Sequence, residues 1–194
     1  MGYESTGDLI KHWEAIKRGD LLEGAGFNAC FPSLHDPSQA PAGKHTGLIS
    51  QMAPYEIQGG VDQWYSLKFK EAQAERCLSV MEQYVPNIRD ILLWKSVATP
   101  LDIGNKFLDM VQGSIKQGAY QPFQMGYLRP NEDCSCNATP DKNLYLGGAS
   151  CHPGGLVVLG PGYVAAGKVV EDLGLEKWWK DPEIVTTARE MGLL

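Results

Sequence analysis

The sequence contains no complete G-x-G-x-x-G and no G-x-x-x-x-G-K-[ST], so neither a dinucleotide-binding fingerprint nor a P-loop can be read from it. Its apolar run near the end, residues 154–167, is well short of the ~20 residues that cross a bilayer. No transmembrane segment is therefore expected. Met1-Gly2-Tyr3-Glu4-Ser5-Thr6 lacks the charged-then-apolar layout of a signal peptide. It matches a myristoylation pattern only superficially, because no basic cluster supports a second membrane contact. Positive charge is scarce: 17 Lys and Arg against 23 Asp and Glu leave a net charge of −6 and a pI near 5.2. With no basic stripe interleaved with aromatics, this excludes a general nucleic-acid binder. The five cysteines (Cys30, Cys77, Cys134, Cys136, Cys151) are odd in number and irregularly spaced. They do not make a secreted disulfide framework, and a reduced, cytoplasmic setting is expected. Cys134, Cys136, Cys151 and His152 are a poor metal set, since structural zinc sites space paired cysteines by two to four residues. No Ser-His-Asp or Cys-His nucleophile system is visible, and no internal repeat.

What is present is ordinary for a soluble globular chain: 194 residues, 43% hydrophobic and 21% charged. A body of this size buries about 70% of its unfolded surface, as one domain or two at most. The rest of the chain is organised around residues 139–172. Residues 143–146 form a short apolar run that reads as a buried strand. Gly147 and Gly148 end it, and His152-Pro153-Gly154-Gly155 is a turn with little side-chain bulk. Pro161 fits the first position of a helix. Tyr163, Ala166, Val169 and Val170 then recur at helical spacing, with Lys168, Glu171 and Asp172 opposite. A glycine turn feeding a helix N-terminus presents free N–H groups to an anion. By spacing alone, a phosphate or cofactor cradle and a plain tight connection both remain open.

Ahead of this stretch, Ser5 and Asp8 precede Leu9, Ile10, Trp13 and Ile16, which predict an amphipathic helix ending near Gly19, with Lys11 and His12 on its wet side. Short strands are expected at residues 27–31 and 46–52. Residues 64–85 carry the longest helical pattern, with Leu67, Ala74, Leu78, Met81 and Val85 on one face and Pro86 as its stop. Residues 88–97 are a strand candidate. Thr99-Pro100-Leu101-Asp102 starts a short helix. Residues 113–130 are irregular, and Tyr120, Phe123 and Tyr127 could wall an apolar pocket or pack as an ordinary loop. Residues 176–194 read as a helical tail whose Trp178 and Trp179 need a covering surface.

Asn-Leu-Tyr-Leu-Gly-Gly-Ala-Ser-Cys-His-Pro-Gly-Gly (residues 143–155), followed by Gly162-Tyr163-Val164-Ala165-Ala166, resembles the C-terminal flavin-binding segment of the phytoene desaturase-like oxidoreductases. These are FAD-dependent enzymes related to amine oxidases. Gly43-Lys44-His45, Pro54-Tyr55 and Thr99-Pro100-x-Asp102 also resemble the family, as do Gln124 and Arg129-Pro130 in the segment that lies beside flavin and substrate. The resemblance implies a mixed α/β (α+β) body: an incomplete FAD/NAD(P)-binding, Rossmann-like fold with part of a substrate domain. Residues 1–138 would belong to the substrate-binding domain, 139–175 to the C-terminal FAD-binding segment, and 176–194 to the tail. The implied cofactor is FAD, with contacts at Gly148, Ala149, Gly154 and Gly155. Gln124 and Tyr127 are the candidates on the substrate side, and no catalytic residue is implied. Leu156 and Leu159 stand where the family often has glycines, and a Leu holds the backbone farther from a ligand. The family's N-terminal G-x-G-x-x-G is not in this sequence. Two functions follow from that. One is an FAD-dependent oxidoreductase, present as its C-terminal part, that moves hydride from an apolar small molecule to flavin. The other is a non-catalytic subunit or degenerate fragment that docks on a flavin-binding chain. Either implies a partner chain or a missing N-terminal domain.

Overall fold

Helices and tight turns dominate the computed structural model, which describes every residue except 1, 25, 156–158 and 194. The only sheet among the described residues has two strands, so the architecture is mixed helix with a small sheet. Contacts group the chain into two units, Met1–Ser114 and Ile115–Leu194. Among the described residues, no helix is long and apolar enough to cross a membrane.

The first unit opens with α1, Thr6–Lys17. Ser5 caps it by accepting from the Asp8 amide at 3.2 Å, and Asp8 places negative charge on the first turn, where the helix dipole favours it. The buried face is not the expected one. His12 and Ala15 are 3% and 1% exposed, while Leu9, Ile10 and Trp13 stand about half exposed. His12 is therefore an interior residue and not a solvated one. Its burial is tolerated because the ring is satisfied: Tyr3 donates its hydroxyl to Nδ1, and the ring is also hydrogen-bonded to the Met52 backbone. One neutral tautomer meets both partners.

Burial lowers the His12 pKa from its ordinary 6.5, and the Met52 bond only partly opposes this. The unfolded chain then binds a proton that the folded chain resists. This contribution to stability is complete above about pH 6.5 and is lost as pH falls below it. The melting temperature should therefore drop more steeply between pH 7 and pH 5 in the wild type than in His12→Asn. Parallel slopes would show that His12 does not titrate against the fold.

The two strands, β1 (Asn28–Cys30) and β2 (Leu48–Ser50), pair antiparallel with Ala29 opposite Ile49. Ile57, Trp64 and Leu101 form the core cluster, lined by Leu21, Tyr55, Val61 and Phe69 among others. Trp64 donates Nε1–H to the Tyr55 carbonyl at 2.9 Å, so its polar edge is satisfied. Residues 61–65 are a 3₁₀ turn, and α2 runs over Leu67–Glu82 with Leu78 and Met81 buried. Leu67, expected on the inner face, is exposed at the first turn.

Residues 88–97 do not form a strand. Ile88–Ile91 is a single helical turn, α3. The chain after it leaves through an extended Leu92, forms no helix, turn or bend before Pro100, and has no neighbouring strand to pair with among the described residues. Helix α4, Pro100–Lys106, has a complete capping box between Thr99 and Asp102. Burial pushes the Asp102 carboxyl up, but hydrogen bonds from Lys70 and Thr99 outweigh this and hold it below the ordinary range. Lys70 reaches Asp102 at 2.7 Å and ties α2 to α4.

In the second unit, residues 115–130 are a succession of turns, two of them 3₁₀ (Pro122–Gln124 and Gly126–Leu128). The strand expected at residues 143–146 shrinks to one bridge, Ala138 to Tyr145. The reason is local: Asn143 has φ +65°, which is not a strand conformation, and the Leu144 amide closes a turn on Asp141. Helix α5, Gly160–Leu173, carries Pro161 in its first turn. The tail becomes helical only at α6, Glu183–Glu190. Pro182 disfavours helix in the residue before it, and Asp181 is held out of helix by Lys177, by Tyr163 at 2.6 Å and by Arg189 at 3.0 Å. Trp178 is 88% exposed, while Trp179 packs edge-on against Tyr163.

Candidate functional site

The residues singled out in the sequence converge in the second unit around a side chain that sequence reasoning assigned no role, Arg129. It is 2% exposed. Its guanidinium donates to the carbonyls of Lys116 (2.9 Å), Gln117, Ala119 (3.4 Å), Gln124 (3.1 Å), Ala149 and Cys151 (3.3 Å). It also lies over the Tyr120 ring, 5.2 Å from the centroid. No carboxylate forms an ion pair with it among the described residues. Six carbonyls from loops with no ladder of their own thus share one cation, which answers the requirement that buried backbone groups be paired. The fork of five N–H donors is what lets one side chain do this.

Arg129 fastens the 116–129 segment to the glycine turn that follows residue 146. A second link is the Gly126 amide, which donates to His152 Nδ1 at 3.1 Å. A third joins Ser150 to Gln117 at 2.6 Å. Gln124 accepts from the Ala119 amide at 2.8 Å, so its carboxamide oxygen braces its own loop. Tyr120, Phe123 and Tyr127 are 39%, 82% and 65% exposed.

The four flavin candidates sit in different surroundings. Gly148 has φ +90°, and a Cβ there would meet nothing within 4 Å among the described residues, so the backbone is open to approach on their side. The Ala149 carbonyl is taken by Arg129. Gly154 has φ +94°, and a Cβ would stand 2.5 Å from the Tyr120 hydroxyl. At Gly155 a Cβ would meet Ala149 at 2.9 Å and the Ile115 carbonyl at 3.0 Å. At Gly154 and Gly155 the lack of a side chain is thus required by packing inside the unit. Gly154→Ala combines that collision with a backbone that L-residues rarely adopt, and should cost roughly 1–3 kcal/mol. A chemical denaturation midpoint unchanged from wild type would show that Tyr120 moves aside freely.

The turn meets α5 through Asn137, which is fully buried. Its Nδ2 donates to the carbonyls of Leu146 at 2.9 Å and Pro161 at 3.2 Å. Its Oδ1 is buried with no partner among the described residues. Gly162, also in the first turn of α5, has open space where a Cβ would lie. Leu159 is exposed, and Leu156 lies outside the described residues. Burial pushes the Cys151 thiol up, against the pull of Arg129. Among the described residues no group of three His, Cys, Asp or Glu could hold a metal ion.

Of the two residues to which sequence reasoning gave no role, Arg129 carries a further signal. It is the single charge between Lys116 and Glu132, in a stretch rich in glycine and aromatics. A lone charge in such a stretch is a candidate for burial with carbonyl partners. Asn137 carries no comparable mark.

No family model matches the chain, and no solved structure matches it. Curated proteins do. A limonene dehydrogenase subunit of Castellaniella defragrans is 38% identical over the whole of this chain and 35% of its own length. Pyridine nucleotide-disulfide oxidoreductase domain-containing protein 2 of Rattus norvegicus is 34% identical over 89% of the chain and 29% of its own length. Phytoene desaturase (neurosporene-forming) of Rhodobacter capsulatus is 26% identical over 80% of the chain and 28% of its own length. The chain spans about a third of the length of these relatives. With such relatives, and with the 143–155 sequence built into the turn described above, the chain belongs to the phytoene desaturase-like oxidoreductases.

Proposed function

We propose that the chain is the C-terminal part of an FAD-dependent dehydrogenase or desaturase that takes hydride from an apolar small molecule. The observation that carries the reading is the joint held by Arg129. It sets the segment bearing Gln124 and Tyr127, the substrate-side candidates, against the turn bearing Gly148, Ala149, Gly154 and Gly155. The flavin, when bound, supplies the hydride acceptor; the protein orients it and excludes water. The open backbone at Gly148 and the first turn of α5 would receive the polar part of the cofactor. Gly154 and Gly155 would act behind it, by letting the loops close up. In this reading residues 139–175 complete a Rossmann-like FAD-binding fold whose remainder lies in the part of the relatives that this chain does not span. Residues 1–138 contribute to a substrate-binding domain, residues 176–194 are the tail, and the protein works in the cytoplasm. The substrate would be an apolar hydrocarbon of the kind that the names limonene dehydrogenase and phytoene desaturase indicate for those relatives.

The test is to join the chain to the unmatched part of the Castellaniella limonene dehydrogenase relative and follow the flavin spectrum without oxygen. Addition of limonene or phytoene should bleach the absorbance near 450 nm on the order of one flavin per chain. A flavin that stays oxidised with both would overturn the catalytic reading. A second reading, a non-catalytic subunit docking on a flavin-binding chain, is favoured by the Tyr120 ring that covers the buried Gly154. It predicts a stable complex without bleaching.

A further inference from the structure

We propose that residues 93–98 are an edge strand awaiting a β-strand from the part of the flavoprotein that this chain does not span. This rests on the reading of the chain as part of a longer oxidoreductase. Trp94 and Val97, with Leu93 beside them, give the segment strand composition. The backbone agrees: Leu92 and Thr99, at its two ends, have extended dihedral angles, and no helix, turn or bend lies between them. Yet among the described residues no hydrogen bond is made by the backbone N–H or C=O groups of residues 93–98. A row of unpaired groups of this kind is a template for another strand.

The segment is not a loose loop. Upstream it leaves α3, and downstream it enters the capping box at Thr99, which is 2% exposed. In the middle, Lys95 is tied to Glu71 at 3.0 Å and Glu75 at 2.7 Å, both on α2. That pairing also removes the usual defence of an exposed edge, a free lysine, because the charge is turned to α2. Leu93 and Trp94 are 75% and 79% exposed, an apolar surface with nothing over it among the described residues.

The occupant that fits is an extended, largely apolar strand of the same flavoprotein, because most of each relative's length lies outside the match.

Amide hydrogen exchange tests this without any use of flavin, so its outcome is separate from that of the proposed activity. In the chain alone, residues 93–98 should exchange freely while α2 is protected. In the protein joined to the unmatched part of the Castellaniella limonene dehydrogenase relative, protection at residues 93–98 should rise at least ~100-fold. Equal exchange in the two proteins would overturn the proposal. So would protection already present in the isolated monomer, or protection that grows with the concentration of the chain alone, which would name a second copy as the occupant. Trp94→Pro supplies a check that needs no joined protein. It removes an N–H that is unbonded here, and the melting temperature of the chain alone should stay within about 2 °C of wild type. A larger drop would mean that the N–H is already paired.

Discussion

Arg129→Met should unfold Ile115–Leu194 at denaturant concentrations where Met1–Ser114 is still folded. The substitution keeps most of the stem and removes the one group that serves six carbonyls. Each hydrogen bond to a charged group contributes roughly 1.5–3 kcal/mol, and the acceptors left behind are costly while they stay buried. The terms are not additive, because the loops relax together, but a loss above about 4 kcal/mol is expected. Arg129→Lys should lie nearer to methionine than to wild type. An ammonium has three donors at a single point and cannot span acceptors contributed by residues 116–124 and residues 149–151 at once. Urea unfolding followed by hydrogen exchange in each unit separates the two. A methionine variant that exchanges like wild type in the 116–129 and 147–155 segments would show that the loops hold each other without the guanidinium.

The dependence on one long-range side chain also explains which features were legible in the sequence. The starts of α1 and α4 could be read because capping is a local matter: Ser5 bonds the amide of Asp8, and Thr99 and Asp102 bond each other. The inward face of α1 could not. Leu9, Ile10 and Trp13 outrank His12 and Ala15 in hydrophobicity, yet the face that turns inward is the one where Tyr3 and Met52 satisfy the imidazole. Residues 88–97 show the same division. Their preference for extended chain was readable and holds at Leu92 and Thr99, with no helix or turn between them, but a strand is a relation to a neighbour, and composition does not supply one. In the turn at residues 147–155, resemblance located the segment, and helical periodicity had no bearing on it. Neither could show that Gly154 and Gly155 face Tyr120 and the 115–116 backbone, since those partners come from a stretch with no regular period. Arg129 lay inside a matched Arg-Pro pair, but its role depends on carbonyls up to 22 residues away.

The purified chain, by itself, should carry no stoichiometric flavin. The surfaces open to a cofactor are the Gly148 backbone and the first turn of α5. They offer a few hydrogen bonds at ~0.5–1.5 kcal/mol each and a dipole contribution of ~0.3–1 kcal/mol. Losing the translational and rotational freedom of the ligand costs on the order of 4–15 kcal/mol. At Gly154 and Gly155 the space a side chain would take is filled by Tyr120 and by the backbone of residues 115–116, so only their backbone could add to these contacts. The balance leaves weak binding, and the absorbance near 450 nm should be lost on gel filtration, about as completely as for a ligand of millimolar affinity. Joining the chain to the unmatched part of the Castellaniella limonene dehydrogenase relative should restore it. Gly148→Asp should then abolish it, since no described residue lies within 4 Å of the new Cβ and the added charge faces the ligand, on top of the strain that φ +90° puts on any side chain there. Gly154→Asp should also abolish it, but by collision with Tyr120 and at the expense of the fold. Both variants carry the strain of a positive φ, so Gly148→Ala, with the same strain and no charge, separates lost contact from lost structure. A yellow, one-to-one complex formed by this chain alone would mean that Gly148 and α5 make a complete site, and the assignment of the chain as one part of a flavin-binding protein would fall.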